Sequence, residues 1–369
     1  MNRPSSLKTL RIAALLAAVV GCGRDSVPDK PDQAPKVGGG PRRLAGSEQR
    51  KLRPKLLFIT NTIGDWWNAV EKGMEDGGKA FGCDVEMRRN NGEVQGQVDR
   101  LKEAMSIPGL DGVAVSVLEA DAPGIADALR DLKRAGKAVI TVDSDIAAER
   151  GDLRDGYIGT NNHHAGEVAG KVAALLRPRG GKVVAFVATF QAANARERRD
   201  GFLAGAGKAF TLNPGESWED GSDKTKARTN VQSAVTKTPD AGLLLGLYSY
   251  NAAPIAEEVK ASPDLRKKVT VLTFDLDEAA VAPLEQGNID ASICQNPYEM
   301  GYRGVKLLRA LVRKDEKEIK EVLPEGKTLD CGVRIIVPKA DSPARAMGKD
   351  VITIEAMKAW LASKGLKSS

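Results

Sequence analysis

The chain has 369 residues, 42% hydrophobic and 28% charged, which is the size and composition of a folded protein with about two domains. The formal net charge is +6, but residues 1–53 carry 11 basic and 4 acidic side chains, which leaves 44 basic and 45 acidic in the remainder. Because the part expected to fold is electrically balanced, these numbers argue against a basic surface that binds nucleic acid.

The first 22 residues have the features of a bacterial lipoprotein signal peptide. Basic side chains come first, and an unbroken apolar run follows at residues 12–20. This run is too short for a membrane-spanning helix, which needs roughly twenty residues, but it suits a secretory signal. It ends in Val-Val-Gly-Cys, which resembles a lipobox, so residues 1–22 are predicted to be a signal peptide ending at a lipidated Cys22. The alternative is an ordinary signal peptide with an incidental cysteine.

Residues 23–53 are rich in proline, glycine and charge and show no apolar periodicity. Such a segment is predicted to be a disordered tether, which spans on the order of 30 Å as a random coil. It would hold a folded domain close to the membrane in which Cys22 is anchored.

Few side chains are available for metal or nucleophilic chemistry. With Cys22 lipidated, Cys83, Cys294 and Cys331 remain, and no CxxC pair occurs. The only two histidines are adjacent, at residues 163–164, and would point about 100° apart on a helix. The sequence therefore predicts no zinc site and no cofactor.

From residue 55 onward, short apolar runs alternate with amphipathic segments. The first series predicts strands at 56–59, 84–88, 112–117 and 138–142 and helices at 67–81, 94–106 and 123–135. The second predicts helices at 162–176, 194–210, 225–237, 278–285 and 298–312 and strands at 182–187, 242–247, 269–274 and 289–294. Continuous Val, Ile and Leu runs suit parallel strands buried on both faces. So many strand–helix units predict two doubly wound parallel-sheet lobes of the α/β class.

The residues that follow each predicted strand are candidates for a ligand site, because such sheets bind ligands at the carboxyl ends of their strands. They include aromatic, carboxylate, guanidinium and amide side chains. None of these turns carries GxGxxG, and GxxxxGK[ST] does not occur in the sequence, which argues against dinucleotide and P-loop sites. The candidates are Asn61, Trp66, Trp67, Asp143, Ser144, Asn162, Arg196, Tyr248, Asn251, Asp275 and Gln295.

These residues, in this order, resemble the ribose-type substrate-binding proteins of bacterial ABC transporters, which have the type I periplasmic binding fold. The resemblance covers residues 54–338 and implies two lobes joined by three crossover segments. The crossovers are placed near residues 159, 295 and 332. The implied first lobe is 54–159 plus 296–331, the second is 160–295 plus 332–338, and residues 339–369 are a C-terminal extension with an amphipathic helix predicted at 351–366.

The resemblance implies that two tryptophans and two aspartates hold a sugar. Trp66 and Trp67 match paired aromatics of the family, and flat indoles suit the apolar C–H faces of a sugar ring. Asp143 and Asp275 match strand-end aspartates, whose two oxygens accept from neighbouring hydroxyls. The alternatives are a helix start in the core for the tryptophans, and helix capping or a surface turn for the aspartates.

The resemblance also assigns an arginine and a glutamine to the ligand. Arg196 matches the ligand arginine of the family, whose planar guanidinium donates to two sugar oxygens, whereas Arg198 or Arg199 is interpreted as a surface charge. Gln295 matches the crossover glutamine, and its alternative is a hinge amide bonded only to backbone. Asn162 either lines the cleft or caps the helix that begins there.

Departures from the family pattern leave the sugar open. Ser144 stands where ribose binders commonly carry an arginine. Gly64 stands where they carry an asparagine, so Asn61 is expected to supply that contact. The segment from Tyr248 to Asn251 replaces an Asn-Asp pair of the family, and Tyr248 or Asn251 is expected to reach the ligand. A pentose, a hexose and a polyol all remain as ligands.

The implied function is capture of a small sugar by hinge closure of the lobes, without turnover. The expected partner is an ABC transporter permease in the inner membrane, and the protein is expected to be a monomer, anchored in the periplasm or cell envelope by the lipid at Cys22. The alternative is a sugar-sensing lipoprotein that reports to a membrane receptor.

Other classes of protein fit less well. A glycoside hydrolase would use Asp143 and Asp275 as paired carboxylates, but hydroxyl binding explains both without chemistry. The sensor half of a LacI-type repressor shares the fold, yet the leader and tether argue against it. Cys294 and Cys331 each lie next to an implied crossover, so they either form a disulfide or stay free thiols.

Overall fold

The computed structural model describes residues 53–369 except residue 325. The predicted signal peptide with Cys22 lies outside the described residues, and so does the predicted tether apart from Arg53. Among the helices of the described part, none combines the length and the apolarity that a membrane crossing requires.

Strands and helices alternate along the described chain, as predicted. The strands are β1 (Lys55–Ile59), β2 (Asp84–Arg88), β3 (Leu110–Val115), β4 (Ala138–Asp143), β5 (Gly156–Gly159), β6 (Gly181–Val187), β7 (Phe210–Thr211), β8 (Ser217–Glu219), β9 (Ala241–Gly246), β10 (Thr270–Phe274), β11 (Ala291–Cys294), β12 (Thr328–Asp330), β13 (Arg334–Val337) and β14 (Val351–Thr353). The helices are α1 (Trp67–Phe81), α2 (Val94–Ser106), α3 (Pro123–Arg134), α4 (Asn162–Leu176), α5 (Ala193–Ala206), α6 (Lys224–Lys237), α7 (Ala252–Ala261), α8 (Pro263–Lys268), α9 (Glu278–Glu285), α10 (Pro297–Arg313), α11 (Glu316–Val322) and α12 (Ile354–Lys364).

Two sheets organise these elements. The first has six parallel strands in the order β12-β5-β4-β3-β1-β2. The second has the order β14-β13-β11-β10-β9-β6-β7, with β8 also paired to β6. All its pairs are parallel except β11 with β13. The described chain therefore forms two doubly wound α/β lobes, with one antiparallel pair in the second.

The chain passes between the sheets three times: from β5 to α4 and β6, from β11 to α10, and from β12 to β13. Helix α10 packs on the first sheet, where Met300 and Leu308 join the cluster of Leu56 and Phe58. Helix α4 packs on the second sheet, where Val172 joins the cluster of Val183. Each sheet is thus covered by helices, which explains its unbroken apolar strands.

The C-terminal extension departs from its predicted structure. Residues 351–366 were expected to be one helix, but Val351–Thr353 pair with β13 as β14, and the helix begins only at Ile354. A short β-branched run suits the open edge of a sheet, and the Thr353 hydroxyl accepts from the Ala356 N–H to start the helix. The extension also contacts the first lobe, because Trp360 packs edge-on against Tyr298 of α10.

The packing of α4 against α5 positions part of the site described below. The two helices approach so closely that a Cβ at Gly166 would lie 2.3 Å from the Arg198 carbonyl oxygen, and one at Gly201 would lie 2.0 Å from that of His163. Only glycine permits this backbone approach. It brings the first turn of α4, with Asn162, beside Arg198 of α5.

Candidate functional site

Two aspartates stand at the carboxyl ends of strands, one strand in each sheet. Asp143 ends β4 in the first sheet, and Asp275 follows β10 in the second. Both have positive φ, 66° and 59°, which is uncommon for residues other than glycine. Their exposed fractions are only 6% and 3%. Backbone strain and burial of a carboxylate are costs that a purely structural residue rarely carries.

Asp143 accepts hydrogen bonds from the hydroxyls of Ser116 and Tyr157. The Ser116 hydroxyl donates to its Oδ2 at 2.9 Å, and the Tyr157 hydroxyl donates to its backbone carbonyl at 2.8 Å. Burial raises the pKa of Asp143 to about 6, against the opposing effects of the Arg198 charge and the Ser116 bond, while the Asp275 charge raises it further. Groups of both lobes thus act on this carboxylate.

Asp275 is held by Gln295. The backbone N–H and the Nε2 of Gln295 donate to its two carboxylate oxygens, both at 2.9 Å. Burial raises the pKa of Asp275, while the Arg198 charge and the Gln295 bonds oppose that shift. The Trp66 indole N–H of the first lobe also lowers this pKa, although no hydrogen bond of ordinary geometry joins it to the carboxylate.

The charge partner of the two aspartates is Arg198. Its exposed fraction is 1%, so its interpretation as a surface charge is wrong. Its Nε donates to Asn162 Oδ1 at 3.0 Å and its Nη1 to the Leu247 carbonyl at 2.8 Å, while its guanidinium lies 4.7 Å from the Phe274 ring centre. Its Nη2 is buried and has no hydrogen-bond partner among the described residues.

Arg196 lies elsewhere. Its Nη1 donates to the carbonyls of Phe190 and Gln191 in the loop before α5, at 2.9 and 2.8 Å. Two residues along a helix point about 200° apart, so only one of Arg196 and Arg198 turns inward. The charge of Arg198, and not that of Arg196, acts on the carboxylates of both aspartates.

The paired tryptophans have different environments. Trp67 is 4% exposed and packs with Leu56 and Phe58 in the core of the first lobe. Trp66 is half-buried, meets Trp67 edge-on at 4.9 Å, and has a buried Nε1 without a partner in the described chain. The core alternative therefore describes Trp67, whereas Trp66 lies beside Asp275.

Tyr248 and Asn251 are tied to their own lobe. Asn251 is 1% exposed; its Nδ2 donates to Asp220 Oδ2 at 3.1 Å, and its Oδ1 accepts from the Tyr248 N–H. The Tyr248 hydroxyl donates to Asn194 Oδ1 at 2.8 Å. The side-chain oxygens of both residues are thus engaged within the second lobe.

The other candidates lie at the ends of strands or at a crossover. Ser144 is buried, and its N–H donates to the Val142 carbonyl. Asn162 is buried in the first turn of α4, and its Nδ2 donates to the Thr160 carbonyl at 3.1 Å. Asn61 is half-buried, and its carbonyl accepts from the side chain of Asn90.

Sequence reasoning missed Asn90. It is fully buried just after β2, and its Nδ2 donates to the carbonyls of Asn61 and Glu93, while its Oδ1 has no partner in the described part of the chain. The predicted strand 84–88 ends two residues before it. Its position shortly after a predicted strand is the same signal that marks the other candidates.

Ten buried side-chain polar atoms lack hydrogen-bond partners among residues 53–324 and 326–369, and five of them belong to α5 or to residues that follow strands β1, β2, β5 and β11. Native proteins leave few such groups unsatisfied, since each costs about 1–3 kcal/mol. The set of five holds donors, acceptors and one hydroxyl, as a polyhydroxylated ligand requires. These five atoms are Trp66 Nε1, Asn90 Oδ1, Thr160 Oγ1, Arg198 Nη2 and Gln295 Oε1.

The described residues contain neither a cluster of metal-ligating side chains nor a disulfide. Within the described ranges, no three His, Cys, Asp or Glu side chains are grouped to hold a metal ion. His163 and His164 are exposed beside Glu167 at the start of α4. Cys294 and Cys331 are free thiols, as is Cys83, so the disulfide alternative is not the one in the structure.

Comparison with known proteins agrees with this architecture. A family model described as a periplasmic binding protein domain matches residues 56–316. Ribose import binding protein RbsB of Bacillus subtilis (strain 168) is 25% identical over 248 residues, which cover 66% of this chain and 77% of that protein.

Solved structures show the same fold. GanP, a glucose-galactose binding protein from Geobacillus stearothermophilus, aligns with a TM-score of 0.69 at 22% identity, covering 78% of this chain and 99% of that one. The XylFII-LytSN complex aligns with a TM-score of 0.67 at 20% identity, covering 78% and 98%. The predicted fold of two parallel-sheet lobes is confirmed.

Proposed function

This chain belongs to the periplasmic binding protein family, and on that premise we propose that it is a periplasmic protein that captures a small sugar between its two lobes. The observation that carries the proposal is that the buried Asp143 and Asp275 are accompanied by five unpartnered buried polar atoms on strand-end, crossover and α5 residues. A sugar supplies both donors and acceptors on one small ring, so it satisfies such a set at once.

The contacts divide by chemistry. Sugar hydroxyls donate to the carboxylates of Asp143 and Asp275 and accept from the free Nη2 of Arg198. The free Oε1 of Gln295 accepts a further hydroxyl. The Trp66 indole covers an apolar C–H face of the ring.

The site groups come from both lobes, and this explains why a bound sugar would close them. Trp66, Asn90 and Asp143 come from the first lobe, whereas Arg198 and Asp275 come from the second. A ligand that contacts both sets binds the closed form better than the open form, and this difference in affinity drives closure. The bound protein changes shape and breaks no bond in the sugar, which accords with a relative named as a binding protein.

Delivery to an ABC transporter permease is the proposed fate of the sugar, with the protein held at the membrane by a lipid on Cys22 and the tether 23–53. The alternative is a sensor that reports to a membrane receptor. One observation supports the sensor alternative: a structurally similar protein, XylFII, was solved as a complex with LytSN. Sugar uptake by cells lacking this protein separates the two, since only a transport protein is needed for uptake.

A thermal-shift screen against pentoses, hexoses and polyols tests the binding. A ligand that binds only the folded state at 100 times its Kd adds about 2.7 kcal/mol to the free energy of unfolding. We expect one sugar to raise the Tm by several degrees and the others to raise it less. A panel without any shift would contradict the proposal.

The two tryptophans provide a matched pair of variants. We expect Trp66→Ala to weaken sugar binding at least ten-fold, about 1.4 kcal/mol, and to cost less stability than Trp67→Ala, because Trp66 is only partly buried against the core. Trp67→Ala is expected to lower the free energy of unfolding by about 3–5 kcal/mol, because its indole is 4% exposed. Calorimetric titration and urea denaturation measure both, and equal effects of the two variants would contradict the assignment.

A further inference from the structure

The C-terminal extension, residues 339–369, has no role in the proposed sugar site. Its helix α12 packs on the second lobe, where Met357 and Leu361 belong to the same core cluster as Ile336 of β13. These two side chains are 1% and 3% exposed. The extension is therefore a packed part of the second lobe.

Hydrogen bonds fix the extension to the second lobe on both sides of α12. Before the helix, Val351–Thr353 pair with β13 as β14. After the helix, the Ser369 N–H donates to the Leu276 carbonyl at 2.9 Å, and the Leu276 N–H donates to the Ser369 carbonyl at 2.7 Å. Leu276 directly follows Asp275, a residue of the proposed sugar site. The helix thus moves with the second lobe and is tied to it beside the site.

The second half of α12 contacts the first lobe at Tyr298 of α10. Trp360 meets Tyr298 edge-on, with ring centres 6.2 Å apart, and the Lys364 ammonium lies 4.3 Å from the centre of the same ring. Edge-on aromatic pairs and cations above aromatic rings both attract. Two side chains of the second lobe therefore hold one ring of the first lobe.

Tyr298 is fixed on its own side of this contact. Its hydroxyl donates to Asp76 Oδ2 of α1 at 3.0 Å, and its ring stacks on that of Tyr302. Helices α1 and α10 approach so closely that a Cβ at Gly73 would lie 1.9 Å from the Tyr298 carbonyl oxygen. Tyr298 therefore moves with the first lobe, whereas Trp360 moves with the second.

The contact at Tyr298 accompanies a close approach of the two halves of the sugar site. The Arg198 charge of the second lobe acts on Asp143 of the first, and the Trp66 indole N–H of the first lobe acts on Asp275 of the second. A contact between lobes that is made in this arrangement and lost on opening increases the population of the closed form.

We propose that the C-terminal extension is a strap that stabilises the closed form through the contact of Trp360 and Lys364 with Tyr298. It raises sugar affinity without touching the sugar. The inference rests on the proposed sugar-binding function. The apparent Kd equals the intrinsic Kd divided by the fraction of molecules in the binding-competent form, so a contact that favours closure tightens binding in proportion.

Trp360→Leu in the full chain tests the strap. Leucine retains apolar packing against the core of the second lobe, on which Trp360 also lies, but it removes the aromatic pair. We expect sugar affinity to fall about three- to ten-fold, as for the loss of one aromatic pair. Calorimetric titrations with ribose, allose, xylose, arabinose, glucose and galactose measure it.

Small-angle X-ray scattering provides a second measurement, without sugar. We expect Trp360→Leu to have a larger radius of gyration than the parent protein, because fewer of its molecules are closed. Residues 1–53 are the same in both proteins, so a difference in the radius of gyration reports the lobes.

Trp218→Leu is the matched control. Trp218 packs on the same core cluster as Trp360, and a cation lies above each ring: Lys237 at 5.6 Å from Trp218 and Arg334 at 4.9 Å from Trp360. Trp218 lies on β8 of the second sheet. We expect Trp218→Leu to lower the free energy of unfolding in urea by a similar amount, but to change sugar affinity by less than about two-fold.

A double-mutant cycle separates the interlobe contact from effects within either lobe. Tyr298→Leu removes the ring on the side of the first lobe. If both residues act through one contact, the protein that carries Tyr298→Leu and Trp360→Leu should bind about as tightly as the weaker-binding single variant. Independent effects of the two changes would instead multiply.

The outcomes separate the strap from the function on which it rests. Unchanged or tighter sugar binding in Trp360→Leu, or losses that multiply in the cycle, overturn the strap and leave the sugar-binding function intact. If no sugar binds the parent protein, the sugar-binding function fails and the radius of gyration decides alone. Equal values for the parent protein and Trp360→Leu then overturn the strap as well, and a larger value for the variant supports it.

Discussion

Replacing Arg198 by methionine is expected to lower sugar affinity at least 100-fold. Arg198 is 1% exposed, its charge acts on two buried aspartates, and its Nη2 is free for a ligand oxygen. Removing one member of a buried, hydrogen-bonded charge cluster costs about 2–5 kcal/mol. Methionine keeps much of the volume beside Phe274, so the loss reports the charge rather than a cavity.

Arg196→Met is the matched control, two residues away on the same helix. Because Arg196 donates only to loop carbonyls, we expect an affinity change of less than about three-fold. Calorimetric titration of both variants with the sugar found in the screen gives the comparison. A larger loss in Arg196→Met than in Arg198→Met would return the ligand role to Arg196.

Arg198→Met has a second expected signature, in stability against pH. The Arg198 charge opposes the raised pKa values of Asp143 and Asp275, so its removal raises both further. The folded state then binds protons more tightly than the unfolded state, and its stability falls as the pH rises. The Tm deficit of the variant relative to the parent protein should therefore be larger at pH 7 than at pH 5.

Asp143→Asn is expected to stabilise the ligand-free protein while weakening sugar binding at least 30-fold. Burial holds the pKa of Asp143 at about 6 in the folded state, against an ordinary value of 3.8. A difference of this size corresponds to about 3 kcal/mol of destabilisation at neutral pH. Asparagine tolerates the positive φ of this position, but it offers one acceptor oxygen and no charge to hydroxyls.

The sign of the pH dependence distinguishes this explanation. Because the folded pKa is raised, the cost of Asp143 is absent below about pH 4, grows between pH 4 and 6, and is complete above pH 6. Urea denaturation should thus show a stability gain for Asp143→Asn at pH 7 that shrinks toward pH 4. A variant that is less stable than the parent protein at pH 7 would contradict it.

Asp145→Asn serves as the opposite control, two residues further along. Asp145 binds Arg154 through both oxygens, and Arg154 is only 11% exposed. Loss of this pair leaves a largely buried cation unmatched, so this variant should lose stability. If the two Asp→Asn variants change the free energy of unfolding in opposite directions, the gain comes from the burial of Asp143 rather than from removal of negative charge in general.

Local patterns in the sequence predicted most of the long elements, although β5, β12, β13, α7, α8 and α11 were not predicted. Helix α1 lies at Trp67–Phe81 as predicted, because its apolar periodicity is local and Gly82, at φ 67°, ends it. The alternation of buried strands and helices likewise predicted the fold class. The error at 351–366 arose where a neighbouring strand, β13, offered an edge to Val351–Thr353.

The sequence by itself determined which residue types follow the strands, and therefore which carboxylates, amides and indoles are candidates for a ligand site. The tertiary structure decided that Trp67 rather than Trp66 enters the core of the first lobe, and that Arg198 rather than Arg196 is buried. The rotation of α5 depends on its contact with α4 at Gly166 and Gly201. Two residues along a helix change the direction of a side chain by about 200°. The contact of α5 with α4, which are distant in sequence, therefore decides whether Arg196 or Arg198 is buried.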